Sequence, residues 1–121
     1  MPGEPAAATL SDSEYHARSD AVLAAVEATV DRLLQDDVID IDAQRTGGLL
    51  ELRFPDRSAI VLNTQPPLHE LWMAARSGGY HYRFDGTRWV DREGREFFEA
   101  LSACASEQAG TALRFDPVAQ A

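Results

Sequence analysis

The stretch that decides the fold reads Asn63-Thr64-Gln65-Pro66-Pro67-Leu68-His69-Glu70-Leu71-Trp72-Met73-Ala74-Ala75-Arg76-Ser77-Gly78-Gly79-Tyr80-His81-Tyr82-Arg83-Phe84. Pro66-Pro67 ends whatever precedes it, because proline has no amide hydrogen and drives its predecessor toward extended backbone. Gly78-Gly79 offers the positive φ angles of a tight reversal, so two strands joined by a turn are expected. Strand side chains alternate between faces, so Leu71, Met73 and Ala75 on a core face put Glu70, Trp72 and Ala74 on the other. The same parity sends Ile60, Leu62, Tyr80, Tyr82 and Phe84 inward and Asn63, His81 and Arg83 outward. One outer face then gathers Asn63, Glu70, Trp72, His81 and Arg83, with Gln65 beside them. An outward tryptophan either covers its own sheet or is an anchor for a partner.

Working outward, the segment before this stretch alternates in the same way. Leu50, Leu52 and Phe54 line one face of a strand between the turns Thr46-Gly47-Gly48 and Pro55-Asp56-Arg57-Ser58, and Ala59 to Thr64 forms the next strand. Further back, Val38, Asp40 and Asp42 alternate with Ile39, Ile41 and Ala43 as in a half-buried strand. After Phe84, Asp85-Gly86 is a hairpin turn leading to a short strand over residues 88–91 with Trp89 facing the core. Tight turns throughout make the sheet antiparallel, with about six strands.

Both flanks are helical in pattern. Over about residues 13–35, capped by Ser11 or Ser13, Tyr15, Ser19, Val22, Val26, Val30 and Leu33 fall on one side, while Asp20, Glu27 and Asp31 share a narrow arc flanked by His16. A second helix over roughly 95–108, ended by Gly110, carries Phe97, Leu101, Cys104 and Ala105 or Phe98 on its apolar side. Leu113 and Phe115 extend beyond it to plug the core. The order predicts an α+β fold: a two-layer α/β sandwich with the N- and C-terminal helices on one face of the sheet. A single domain spans residues 11–115, between a disordered tail at 1–10 and a loose tail at 116–121.

The chain of 121 residues is 45% apolar, enough for one core, and its net charge of −9 is unevenly spread. Residues 1–44 hold ten acids against Arg18 and Arg32, a net −8, while the remainder stands at −1. Such a field repels nucleic acid and anionic lipid and attracts cations or a basic protein surface. No apolar run approaches the roughly 18 residues of a membrane span and residues 1–10 lack a signal peptide, so a cytoplasmic protein is expected. Cys104 is the single cysteine, which leaves no internal disulfide.

Asp20, Glu27 and Asp31, together with Asp36, Asp37, Asp40 and Asp42, form an oxygen-only ligand set with His16 as the nearby nitrogen donor. Such a set suits weak, poorly selective binding of hard cations. The alternative is a solvated acidic face that confers solubility. No phosphate-binding glycine loop, nucleophile elbow or metal-spaced histidine pair is present, so no enzyme is expected.

The pattern Asn63-x-Gln65-x-Pro67-x-x-Glu70-Leu71-Trp72-Met73-Ala74, followed by Gly78-Gly79-Tyr80-His81-Tyr82, resembles the signature of the frataxin family. The likeness runs over residues 11–115, including Ser13-Glu14-Tyr15-His16, Gly47-Gly48 and Gln108-Ala109-Gly110, and is greatest to bacterial members without a long targeting extension. The resemblance implies a role in iron–sulfur cluster assembly, with weakly bound iron (Fe²⁺ or Fe³⁺) and docking on a cysteine desulfurase and its scaffold machinery. It places Asp12, His16, Asp20, Glu27, Asp31, Asp36, Asp37, Asp40 and Asp42 on the family's acidic, iron-binding ridge. Asn63, Gln65 and Trp72 match its partner-binding sheet surface, with Asp31, Asp36 and Asp37 as further docking residues. Arg32, Leu34 and Val38 stand where related ridges are often acidic, and a two-residue insertion near residues 33–38 shifts the ridge against the strand. The expected state is a monomer that iron can drive to oligomerise. Two other functions fit the same residues: a ferroxidase that oxidises iron on the ridge, or an acidic interaction module indifferent to metal.

Overall fold

In the computed structural model, which describes residues 10–117, helix α1 spans Asp12–Gln35 and is followed by six strands and a second helix. The strands are β1 (Asp42–Thr46), β2 (Leu49–Arg53), β3 (Ala59–Gln65), β4 (Glu70–Ala75), β5 (Gly78–Phe84) and β6 (Trp89–Val90), with α2 over Phe97–Ala109. They form one meander in the order β1-β2-β3-β4-β5-β6, every neighbour antiparallel. Both helices pack on one face of this sheet, as the sequence pattern requires.

The start of α1 is set by Ser11 at the N-cap: its hydroxyl accepts from the Glu14 amide at 3.1 Å, while Glu14 Oε1 accepts from the Ser11 amide at 2.9 Å. Tyr15, Ser19, Val22, Leu23, Ala25, Val26, Thr29 and Val30 are buried along one side, a broader stripe than the periodicity alone suggests, and Leu33 is half-buried at its end. Leu50, Leu52, Ile60, Leu62, Leu71, Met73, Tyr82 and Phe84 rise from the sheet to meet them. Burying a side chain of this size contributes about 1.5–3 kcal/mol.

α2 begins at Phe97, two residues later than the periodicity suggests, because the Glu96 carboxylate caps it by accepting from the Phe98 and Glu99 amides, both at 2.9 Å. Gly110 ends it in the left-handed region, φ 72°. The extended tail then returns along α2: Ser106 Oγ accepts from the Leu113 amide and Ser102 Oγ from the Phe115 amide, each at 2.8 Å, which seats Leu113 and Phe115 in the core as expected.

Four local expectations are corrected. The segment at residues 38–41 alternates in burial, with Ile41 inside and Asp40 outside, but ladder pairing starts only at Asp42, since the chain is still leaving the end of α1. Pro66–Leu68 forms a 3₁₀ turn and His69 takes the left-handed conformation (φ 53°), so β4 starts at Glu70 and His69 lies off the strand. The β4–β5 reversal is made by Arg76 and Ser77, with Ala75 opposite Gly78; Gly78 and Gly79 open β5 instead. Cys104 and Tyr80 are half-buried at the core margin, near Ser77 Oγ at 3.5 and 2.9 Å. Of the two tails expected at 1–10 and 116–121, residues 1–9 and 118–121 lie outside the described residues.

Candidate cation and partner surfaces

The strand register arranges the outer sheet face in rows. Leu49, Asn63, Trp72 and His81 stand opposite one another across β2 to β5, and Gln65, Glu70, Arg83 and Val90 form the next row across β3 to β6. Beside the first row, Ala74 and Gly79 oppose each other, and a methyl group facing a hydrogen leaves a shallow hollow there, lined also by Leu49, Asn63, Trp72 and His81. Asn63, Gln65 and Trp72, which the sequence groups, therefore do share a surface. Leu49 belongs to it too and was missed, although the inward parity of Leu50 and Leu52 already places it outward.

Trp72 is half-buried, lying flat on His81 with ring centroids 4.1 Å apart and planes within 5°. Its Nε1–H donates to Glu70 Oε1 at 2.8 Å, while Arg83 Nε donates to Glu70 Oε2 at 2.8 Å. Glu70 is on the outer face, as expected, but only 8% exposed, because the indole and guanidinium close over it. Burial pushes its carboxyl upward, yet the hydrogen bonds from Trp72 and Arg83, with the Arg83 charge, outweigh this and hold it below its ordinary value. Glu70 is thus a fixed anion that sets the orientation of the tryptophan.

The acidic residues divide into three groups. Asp12, at the start of α1, bonds His69 Nε2 at 2.8 Å, and the His69 ring stacks on Tyr15 at 4.7 Å. The Tyr15 hydroxyl, buried beneath, donates to the Glu70 carbonyl at 2.6 Å and accepts from the Gln65 amide at 2.9 Å, so it ties α1 to both strands that carry the sheet surface. His16 is exposed one turn further on. In mid-helix, Asp20 and Glu27 both pair with Arg45 of β1, Glu27 at 3.0 Å. Arg45 is a contact that sequence reasoning did not find, since nothing local couples residues 18 and 25 positions apart.

The third group is Asp31, Asp36, Asp37, Asp40 and Asp42, all exposed and, among the described residues, without an ion pair. Asp36 caps the end of α1, and Asp37 follows in the left-handed region at φ 60°. The Asp37 amide donates to the Leu34 carbonyl at 3.0 Å and the Val38 amide to the Leu33 carbonyl at 2.9 Å. This is the Schellman closure, whose left-handed position usually holds glycine. Here an aspartate fills it, and two carboxylates stand at the negative pole of the helix, where cations are favoured. Leu34 and Val38, about half exposed at 51% and 48%, flank them. Among the described residues no three Asp, Glu, His or Cys side chains converge to form a ready-made metal cage.

Residues 8–111 match the model of the frataxin-like domain. The iron–sulfur cluster assembly protein CyaY of Albidiferax ferrireducens is 50% identical over 105 residues, covering 86% of this chain and 96% of that protein. The CyaY protein of Verminephrobacter eiseniae is 51% identical over 107 residues, with 88% and 98% covered. Among solved structures, the frataxin from Psychromonas ingrahamii superposes with a TM-score of 0.77 at 30% identity, covering 88% of this chain and 99% of that one. The fold and the match over nearly the whole described chain agree, and the chain belongs to the frataxin-like family.

Proposed function

We propose that this protein binds iron weakly on its acidic edge and takes part in iron–sulfur cluster assembly, regulating or supplying iron by docking on a cysteine desulfurase complex in the cytoplasm. It acts through binding and not through catalysis of its own. The observation that carries the reading is the end of α1. Asp36 and Asp37 hold two carboxylates at the negative helix pole, one of them in a backbone conformation that disfavours any side chain, and Asp31 and Asp40 add exposed acids to the same segment. A cation placed there gains from the dipole and relieves the repulsion. Oxygen donors without a rigid cage favour loose, labile binding of a hard cation, as suits an ion that is handed on. The names of the relatives, proteins of iron–sulfur cluster assembly, support the same role.

The two surfaces then have separate work. The acids steer the protein to a basic groove over long range, and the Trp72 row adds short-range burial once contact is made. The test is a reconstituted cluster-assembly assay with a cysteine desulfurase and scaffold at several iron concentrations. The wild type should change the rate by a factor that grows with iron, and the combined variant Asp31→Lys, Asp36→Lys, Asp37→Lys should abolish that dependence while remaining folded. An effect independent of iron, or one that survives the charge reversals, would overturn the reading.

A further inference from the structure

Asp20 and Glu27 are seven residues apart on α1, two turns or about 10 Å along the axis. A single metal ion, which needs its oxygen ligands at about 2.0–2.6 Å, is poorly placed to hold both. A guanidinium is not so limited, because its planar fork presents separate N–H groups that can reach two acceptors at once. Arg45 uses it in this way: Nη2 meets Asp20 Oδ1, Nη1 donates to Glu27 Oε1 at 3.0 Å, and Nε donates to the Gly47 carbonyl at 3.3 Å. That last bond fixes the side chain against the β1–β2 turn, where it is only 23% exposed although Asp20 is 70% exposed. The arginine is therefore held in place from the strand side and needs little further ordering to keep its carboxylates.

We propose that Arg45 is a built-in counter-ion that reserves Asp20 and Glu27, so that a divalent cation reaches them only by displacing the guanidinium. This rests on the reading of the acidic edge as a cation surface and deepens it. Among the ridge acids of the described residues, the carboxylates without an ion pair lie in the segment from Asp31 to Asp42, and the middle of α1 is an intramolecular staple between helix and sheet. The nine acidic-ridge positions that the family resemblance groups together are thus not equivalent in this chain.

The test is a Ca²⁺ titration of the full chain followed by the ¹³C shifts of the Asp and Glu side-chain carboxyls, in wild type, Arg45→Gln and Arg45→Lys. In the wild type Asp31, Asp36, Asp37 and Asp40 should respond first, with Asp20 and Glu27 requiring about tenfold more Ca²⁺. Arg45→Gln should erase that gap, and Arg45→Lys, which keeps the charge without the fork, should leave part of it. Unchanged amide shifts in β4 and β5 verify the fold, and the lysine variant carries the test if the glutamine variant fails to fold. Asp20 and Glu27 responding with the others in the wild type, or staying silent in the variants while Asp31 to Asp40 respond, would overturn the role of Arg45 and leave the cation surface standing. Response of Asp20 and Glu27 only after substitution, with Asp31 to Asp40 silent throughout, would support Arg45 and overturn the cation surface. No response anywhere would overturn both.

Discussion

Glu70→Gln removes the charge at the centre of the sheet-face network without changing its shape. In the wild type each carboxylate oxygen receives one donor at 2.8 Å, from the Trp72 indole and from Arg83 Nε. A glutamine offers one oxygen and one NH₂ group, so one of those donors must face another donor. Losing one charge-assisted hydrogen bond costs about 1.5–3 kcal/mol, with the lower half more apt here because Arg83 can turn to water. A loss of about 2 kcal/mol should lower Tm by something on the order of 10 °C at pH 7. The pH dependence has a definite sign. The Glu70 carboxyl is held below its ordinary 4.5, so its contribution is present above that value and is lost as pH falls through the folded-state value. The Tm gap between wild type and variant should therefore be full at pH 7 and close towards pH 3. Calorimetry at both pH values measures the gap, and the NMR shift of the Trp72 indole proton should report loss of its bond in the variant. An unchanged Tm at pH 7, or the same gap at pH 3, would refute the view that the ionised carboxylate organises the tryptophan.

The end of α1 should show a trade between stability and binding: Asp37→Asn removes a charge from the negative pole and Asp37→Gly also relieves the left-handed backbone, so each should stabilise by about 0.3–1 kcal/mol while weakening cation binding. Denaturant melts and a Ca²⁺ titration would check the pair of effects, and a variant that loses both stability and affinity would contradict the account. The two fully buried tyrosines of the core should respond oppositely to loss of their hydroxyls. Tyr15→Phe strands the Gln65 amide and the Glu70 carbonyl and should cost about 1–3 kcal/mol, whereas the Tyr82 hydroxyl has no hydrogen-bond partner among the described residues, so Tyr82→Phe should be neutral or mildly stabilising. Urea unfolding with unchanged m-values gives both numbers, and equal losses would show that burial rather than bonding decides.

Much of this molecule is readable from the chain alone because its elements are set by short-range rules. Alternation fixes the inward face of Leu50, Leu52, Ile60, Leu62, Leu71 and Met73, the helical period fixes the buried side from Tyr15 to Val30, and Ser11 or Ser13 and Gly110 mark helix ends, the structure choosing Ser11. Short reversals of two to five residues between successive strands then leave an antiparallel meander as the simple topology. Parity likewise places Asn63 and Trp72 on one outer surface, and the family resemblance adds Gln65. What only the tertiary structure decides is how charges are used, since a carboxylate's partner depends on which chain segments meet and not on its neighbours in sequence. Arg45 reaches Asp20 and Glu27 across the helix–sheet boundary, His69 reaches Asp12 over 57 positions, and Glu70 is buried because Trp72 and Arg83 close over it. Sequence spacing can put acids on one stripe, but electrostatic interaction falls off with distance in space, and that distance is set by the fold.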